Sequence, residues 1–265
     1  MAPPNQPDMA QNRLGRGGPV IGPLGFGAFK IGRNQQTKYG RPYDLPDEAA
    51  SARLLNDVLD LGIDYIDTAP AYGLSEERIG RAIAHRRNEF ALSTKVGEVF
   101  ENGQSRFDFS HEAVEASLRR SLTLLTCDCL DMVFIHSNGN DLAIMGQTDI
   151  VATLTRFKRQ GVARGIGLSA KTVLGASAAL KWADAIMVEL HTRDRSFEPV
   201  IAEAAAAGVS VIVKKALSSG TLPADESLRF VLGHAGVASA VVGSLNLDHL
   251  RDNLATCVAC RSRAT

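Results

Sequence analysis

Short β-branched apolar runs alternate with longer amphipathic stretches along nearly the whole chain, the signature of parallel βα units. Eight units can be counted, with strands predicted at Leu24 to Phe29, Tyr65 to Thr68, Ala91 to Val96, Leu130 to His136, Gly165 to Ser169, Ala185 to Leu190, Ser210 to Ala216 and Ala240 to Gly243. Helical periodicity is predicted at Asp47 to Leu61, Ser75 to His85, His111 to Leu125, Ile150 to Gln160, Val200 to Ala207 and Leu247 to Val258. Ser110 stands as an N-cap before His111, and Gly62, Gly161 and Gly208 fall where helices should stop. Eight such units suit a closed (β/α)8 TIM barrel, whose usual length is about 250 residues. An open doubly wound sheet would need fewer strands and a glycine-rich first turn, and Gly25-Phe-Gly27 lacks the third glycine of that fingerprint. Arg13 to Gly22 is predicted to form a short β-hairpin at the barrel bottom. A single barrel domain is expected over residues 13–262, behind a disordered tail at residues 1–12 that is rich in Pro, Gln and Asn.

Composition narrows the function classes more than the fold. Of the 265 residues, 45% are apolar and 22% charged, so a large core can form without disulfides or metal. Lys plus Arg equals Asp plus Glu at 29 each, which removes the footprint of a nucleic-acid or anionic-membrane partner. No apolar run reaches the roughly 20 residues of a membrane span, and the first residues lack the apolar core of a signal peptide. A cytoplasmic protein with free thiols is therefore expected. Cys257-Val-Ala-Cys260 has metal-ligand spacing but no second pair, and no metal is expected. No surface strip marks an interface, so the oligomeric state is not legible.

In such a barrel the reactive groups project from the C-terminal ends of the strands. Asp67 ends the second predicted strand, Tyr72 follows in its loop, Lys95 ends the third and His136 ends the fourth. Taken singly, Asp67 reads as a turn acid, Tyr72 as a rim aromatic and His136 as a core imidazole. Lys95 is harder to dismiss, because an unpaired ammonium among apolar strand residues costs several kcal/mol, so it needs a partner. Together, a carboxylate, a phenol, an amine and an imidazole on three consecutive strand ends point to chemistry.

The stretch Ile66-Asp67-Thr-Ala-Pro-Ala-Tyr72-Gly-Leu-Ser-Glu-Glu-Arg-Ile-Gly80, with Leu-Ser-Thr-Lys95-Val-Gly and Leu-Asp-Met-Val-Phe-Ile-His136, resembles the aldo-keto reductases. The resemblance runs from Leu14 to about Cys257. It implies a nicotinamide-dependent reductase of small carbonyl substrates with a catalytic tetrad of Asp67, Tyr72, Lys95 and His136. In that reading Tyr72 donates the proton and Lys95 favours the phenolate as it forms. Asp67 holds the lysine charged, and His136 donates to or orients the carbonyl oxygen. Phe26, Phe29 and the short loop after His136 are expected to form an apolar mouth on a barrel with few insertions.

The resemblance also implies a dinucleotide site. Gly243, Ser244, Leu245, Asn246, His249, Asp252 and Asn253 match the adenosine-phosphate loop, where a helix N-terminus favours phosphate. Gly27, Ala28 and Asp67 are placed along the cofactor, and Leu217, Ser219 and Gly220 suit a loop around the pyrophosphate. Gly243 and His249 stand where basic residues usually grip the 2′-phosphate, so NADP is expected from family habit with NAD possible. Ser169 keeps one carboxamide contact, but Ala170 and Met187 replace an asparagine and a glutamine. Lys214, followed by Lys215, stands in place of a stacking aromatic, and one of the pair is expected to bind the pyrophosphate as a point charge. These departures keep two rivals open: a dinucleotide-binding partner protein with little turnover, and a Schiff-base aldolase built on Lys95 or Lys215.

Overall fold

The computed structural model describes residues 13–37 and 42–261, so the expected tail at residues 1–12 lies outside the described residues. The strands are β1 (Leu24–Gly27), β2 (Tyr65–Asp67), β3 (Ala91–Val96), β4 (Glu98–Glu101), β5 (Gln104–Phe107), β6 (Leu130–His136), β7 (Ala163–Ser169), β8 (Ala185–Glu189), β9 (Ser210–Lys214) and β10 (Val237–Val242). Eight of them close a parallel barrel in the order β1-β10-β9-β8-β7-β6-β3-β2, while β4 and β5 form a separate antiparallel hairpin. The predicted (β/α)8 barrel therefore holds. Predicted strand limits shift by up to three residues, and Ala28 and Phe29 leave β1 for a short 3-10 turn, Ala28–Ile31.

The surrounding helices are α1 (Glu48–Asp60), α2 (Ser75–Ile83), α3 (His111–Leu125), α4 (Asp141–Gln147), α5 (Ile150–Arg159), α6 (Val173–Ala179), α7 (Glu198–Ala206), α8 (Ala224–Leu232) and α9 (Leu247–Arg261). In α1 the buried positions Ser51, Leu54, Leu55, Val58 and Leu59 recur at helical spacing, so one stripe faces the barrel. Its Asp47 caps the first turn by accepting from Ala50 N at 2.7 Å, and Ser110 caps α3 as predicted. Three helices, α4, α6 and α8, are not read from periodicity; α4 and α6 have only seven residues, barely two turns of pattern.

Two apolar shells result from the alternation of side chains along each strand. The outer shell, between strands and helices, contains Leu24, Phe26, Ile66, Leu92, Val133, Ile135, Leu168 and Ile186. The inner shell, inside the barrel, contains Tyr65, Ala91, Met132, Phe134, Ala185, Met187 and Ile212, with Leu14 and Ile21 joining it from the N-terminal segment. Arg13 and Val20 pair as an antiparallel bridge, Leu14 N donates to Pro19 O at 2.9 Å, and Gly15 N donates to Ser210 Oγ at the start of β9. The predicted hairpin thus closes the barrel bottom. Phe26, expected at the mouth, instead shares the outward phase of Leu24 and is fully buried beneath the helices.

Candidate active site

The same alternation assembles the site. Continuing the inner phase upward from Tyr65, Phe134, Met187 and Ile212 gives Asp67, His136, Glu189 and Lys214, all polar; from Ala91 it gives Ser93 and Lys95. Apolar side chains fill the barrel and a ring of polar groups crowns it at the C-terminal rim.

Lys95 is 1% exposed and Asp67 2%, and the ammonium donates to Asp67 Oδ2 at 2.7 Å and to Thr68 O at 2.9 Å. The other carboxylate oxygen accepts from Ser93 Oγ at 2.7 Å, and Ser93 in turn meets the hydroxyl of the buried Tyr65 at 2.9 Å. Burial pushes the Lys95 amine down, but Asp67 and Tyr72 outweigh it and hold the group above the ordinary lysine value. A lysine kept this firmly protonated is a poor imine-forming nucleophile. Lys215, the other candidate for an aldolase, is exposed and ion-paired with Glu189.

Tyr72 closes the 3-10 turn Pro70–Tyr72 after β2. Its ring lies with its centroid 4.7 Å from Lys95 Nζ, edge to face with Phe29 at 5.1 Å and with His136 at 6.3 Å. All four expected residues therefore meet. One electrostatic expectation changes: burial raises the Tyr72 phenol more than the Lys95 charge lowers it, so the resting pKa stands above its ordinary value. The lysine limits the rise instead of making the phenol acidic.

The turn that carries Tyr72 is held by backbone contact that only glycine permits. A Cβ on Gly32 would lie 2.0 Å from Tyr72 O and 2.3 Å from Ser75 N, and Gly73, at φ +63°, faces the Gly32 carbonyl. A methyl group at Gly32 must push Tyr72 aside. Gly32→Ala is expected to cost on the order of a hundredfold in kcat, as misplacing a reacting group by about 1 Å does. Steady-state kinetics with retained dinucleotide affinity checks this.

Sequence reasoning missed Glu98. It opens the β4–β5 hairpin, which stands outside the barrel sheet, and its Oε2 lies 3.0 Å from His136 Nδ1. The approach is out of line with the ring N–H, so the contact falls short of a well-formed hydrogen bond. Burial pushes the Glu98 carboxyl up, yet His136, Ser105 and Lys171 together bring it down to about 2. Burial also lowers His136, against the raising effect of Glu98, with Lys95 and Lys214 adding to the depression. Near neutrality the pair is an ionised carboxylate beside a mostly neutral imidazole.

The residues expected around a dinucleotide divide into three groups. Gly27 ends β1 and Ala28 opens the 3-10 turn after it, beside the end of β10, where a Cβ on Gly27 would lie 3.5 Å from Gly243 N. Ser244 is buried, and Asn246 precedes α9, accepting from Asp248 N at 2.8 Å through its side chain. Leu245 is half-buried, Asn253 is buried on α9, and His249 and Asp252 are exposed on it. In the second group, Leu217, Ser219 and Gly220 lie in a loop where Lys215, Ser218 and Ser219 all take positive φ. Such backbone strain in non-glycine residues concentrates at ligand-binding loops. The third group is Lys214 and Ser169: the amine crosses β8 to donate to Ser169 Oγ at 2.9 Å and Ala170 O at 2.8 Å. Burial first, then Lys215, Lys95 and Lys171, lower Lys214 to about 7. Met187 is fully buried in the inner shell.

The fold and this rim define a barrel enzyme, and comparison with known proteins names its kind. The aldo/keto reductase family model matches residues 23–227. A Pseudomonas aeruginosa structure described as that of an aldo-keto reductase is 41% identical, with 93% of each chain covered and a TM-score of 0.86. The holo form of a Bacillus halodurans aldo-keto reductase is 26% identical, covering 90% of this chain and 87% of that one, with a TM-score of 0.76. Pyridoxine 4-dehydrogenase of Escherichia coli is 25% identical over 93% of both chains. The chain belongs to the aldo/keto reductase family. It is an oxidoreductase of a family that uses nicotinamide cofactors and acts on small carbonyl substrates. No helix among the described residues is long and apolar enough to cross a membrane.

Proposed function

We propose that this protein reduces an aldehyde or ketone with NADPH, NADH serving less well, and that Tyr72 is the general acid. The observation that carries the reading is the buried chain of contacts from Ser93 through Asp67 to Lys95 and on to the Tyr72 ring, with His136 across the same bowl. A bound nicotinamide would supply the hydride. Tyr72 keeps its proton in the resting site because burial disfavours the phenolate, and it releases that proton to an oxygen on which negative charge develops. Lys95, fixed by Asp67 and Thr68, stabilises the phenolate left behind without reorganising. His136, in its imidazolium form, would hold the carbonyl oxygen against Tyr72, and Phe29 packs edge to face on the Tyr72 ring.

The chain fits a dinucleotide through its donors. Lys214 meets only neutral acceptors, with no carboxylate within ion-pair distance among the described residues, which leaves its charge available to an anionic or carbonyl ligand. Ser169 and Lys214 would hold the carboxamide end, with Gly27 and Ala28 near it. Leu217, Ser219, Gly220 and Lys215 would wrap the pyrophosphate. Gly243, Ser244, Leu245 and Asn246 would receive the adenosine phosphates at the start of α9, with His249, Asp252 and Asn253 beyond them. Asp67 would line the inner end.

Lys214 should then carry a stability penalty. Its folded value of about 7 lies below the ordinary lysine value of 10.5, so the unfolded chain binds more protons between those values and stability rises with pH across that window. Lys214→Met is expected to raise the melting temperature at pH 6 by a few degrees, less so at pH 10, while weakening dinucleotide binding. Thermal melts at the two pH values and a fluorescence titration check both effects.

The reading as a whole is tested with a panel of aldehydes and ketones assayed with NADPH and with NADH at the nicotinamide absorbance. Turnover of a carbonyl, faster with NADPH, supports it. Tight dinucleotide binding with no turnover across the panel would instead favour the partner-protein reading.

A further inference from the structure

The mechanism leaves Glu98 without a task. It is a carboxylate on the β4–β5 hairpin, nearly buried beside Nδ1 of His136, a buried ring nitrogen with no hydrogen-bond partner among the described residues. The His136 side chain is 16% exposed while its Nδ1 is shut off from solvent, so the ring's exposure lies away from Nδ1. A histidine's tautomer is set by the partner of its other nitrogen. An ionised carboxylate accepts and never donates, so a neutral imidazole beside it keeps its single proton on the facing nitrogen.

We propose that Glu98 is a positioning residue that fixes the proton of neutral His136 on Nδ1, leaving Nε2 a bare acceptor towards the bowl. The inference rests on the carbonyl-reductase reading. Neutral His136 then accepts a hydrogen bond from a substrate hydroxyl, and only the imidazolium donates one to a carbonyl oxygen. No proton transfer through His136 is involved, and Tyr72 remains the acid.

The groups that face His136 support an acceptor at neutral pH. Lys95 on β3 and Lys214 on β9 disfavour the imidazolium, Glu98 on β4 favours it, and burial tips the balance to the neutral ring. Tyr72 faces the ring edge on, Asp67 acts through Lys95, and Lys171 and Arg33 sit in the field of Glu98. Oε2 stands 3.0 Å from Nδ1, within hydrogen-bond reach once the ring turns to bring its N–H into line, and catalytic contacts that are poorly aligned without ligand commonly tighten on binding.

The test is nitrogen NMR of the histidine-labelled protein at pH 8, which separates the two neutral tautomers without any turnover. The expected wild-type result is His136 protonated on Nδ1 with an unprotonated Nε2, and Glu98→Leu is expected to move the proton to Nε2. In parallel, wild-type kcat/KM for carbonyl reduction should fall about tenfold per pH unit above the His136 titration, as one required protonation dictates. That slope should flatten in Glu98→Leu, with Lys214 common to both proteins. A wild-type His136 protonated on Nε2 overturns the proposal even if the variant misfolds. So does a folded variant whose tautomer and pH slope match the wild type. Failure to reduce any carbonyl would instead sink the reductase reading and leave the tautomer result standing.

Discussion

Tyr72→Phe is expected to lower carbonyl reduction by at least about a thousandfold, within the range that a positioned general acid contributes. The phenyl ring keeps the edge contacts with Phe29 and His136 and stays over the Lys95 ammonium, so the fold and the bowl should be unchanged. Only the transferable proton is lost. Dinucleotide affinity should therefore match the wild type within about twofold, since a group acting only in the transition state affects kcat and kcat/KM alike. Stopped-flow single turnovers would show a slowed chemical step. A variant that keeps full reductase activity would remove Tyr72 from the mechanism.

Lys95→Met carries the second large effect, on stability as well as rate. It strands Asp67, 2% exposed, with Ser93 as its remaining side-chain donor. Breaking a buried pair in this way costs about 3–5 kcal/mol, and the loss of phenolate stabilisation should remove most activity. Asp67→Asn added to Lys95→Met removes the lone charge, so the double variant should regain part of the stability and none of the rate. Denaturant unfolding and steady-state assays of the wild type and these two variants separate these terms. Recovery of activity in the double variant would show that the lysine acts only as a structural counter-ion.

Much of this site was legible because the barrel converts strand phase into position. Asp67, Lys95 and His136 are the last inward residues of β2, β3 and β6, and a period of two along each strand places them at the rim. The same rule places Lys214, in phase with Ile212, while Lys215 lies past the end of β9 at positive φ and pairs with Glu189. It would also have corrected Phe26, whose phase follows Leu24, while Gly25 leaves the interior to the ring of Tyr65. What stayed hidden depends on partners distant in sequence. Glu98 and His136 are brought together only by the hairpin, although Asn102-Gly103, both at positive φ between two four-residue strands, is a turn signal that was readable. The pKa of Tyr72 was not readable, because burial and the Lys95 charge oppose each other and only packing decides between them.

The central claim is that hydride passes from a nicotinamide to a carbonyl carbon in a bowl where Tyr72 supplies the proton. The most direct measurement incubates the wild-type enzyme with an aldehyde it turns over and with NADPH deuterated at the transferring position, then examines the product by mass spectrometry and NMR. The account predicts an alcohol with one deuterium on the former carbonyl carbon and a stoichiometric amount of oxidised dinucleotide. An unlabelled product, or conversion with the dinucleotide still reduced, would contradict it.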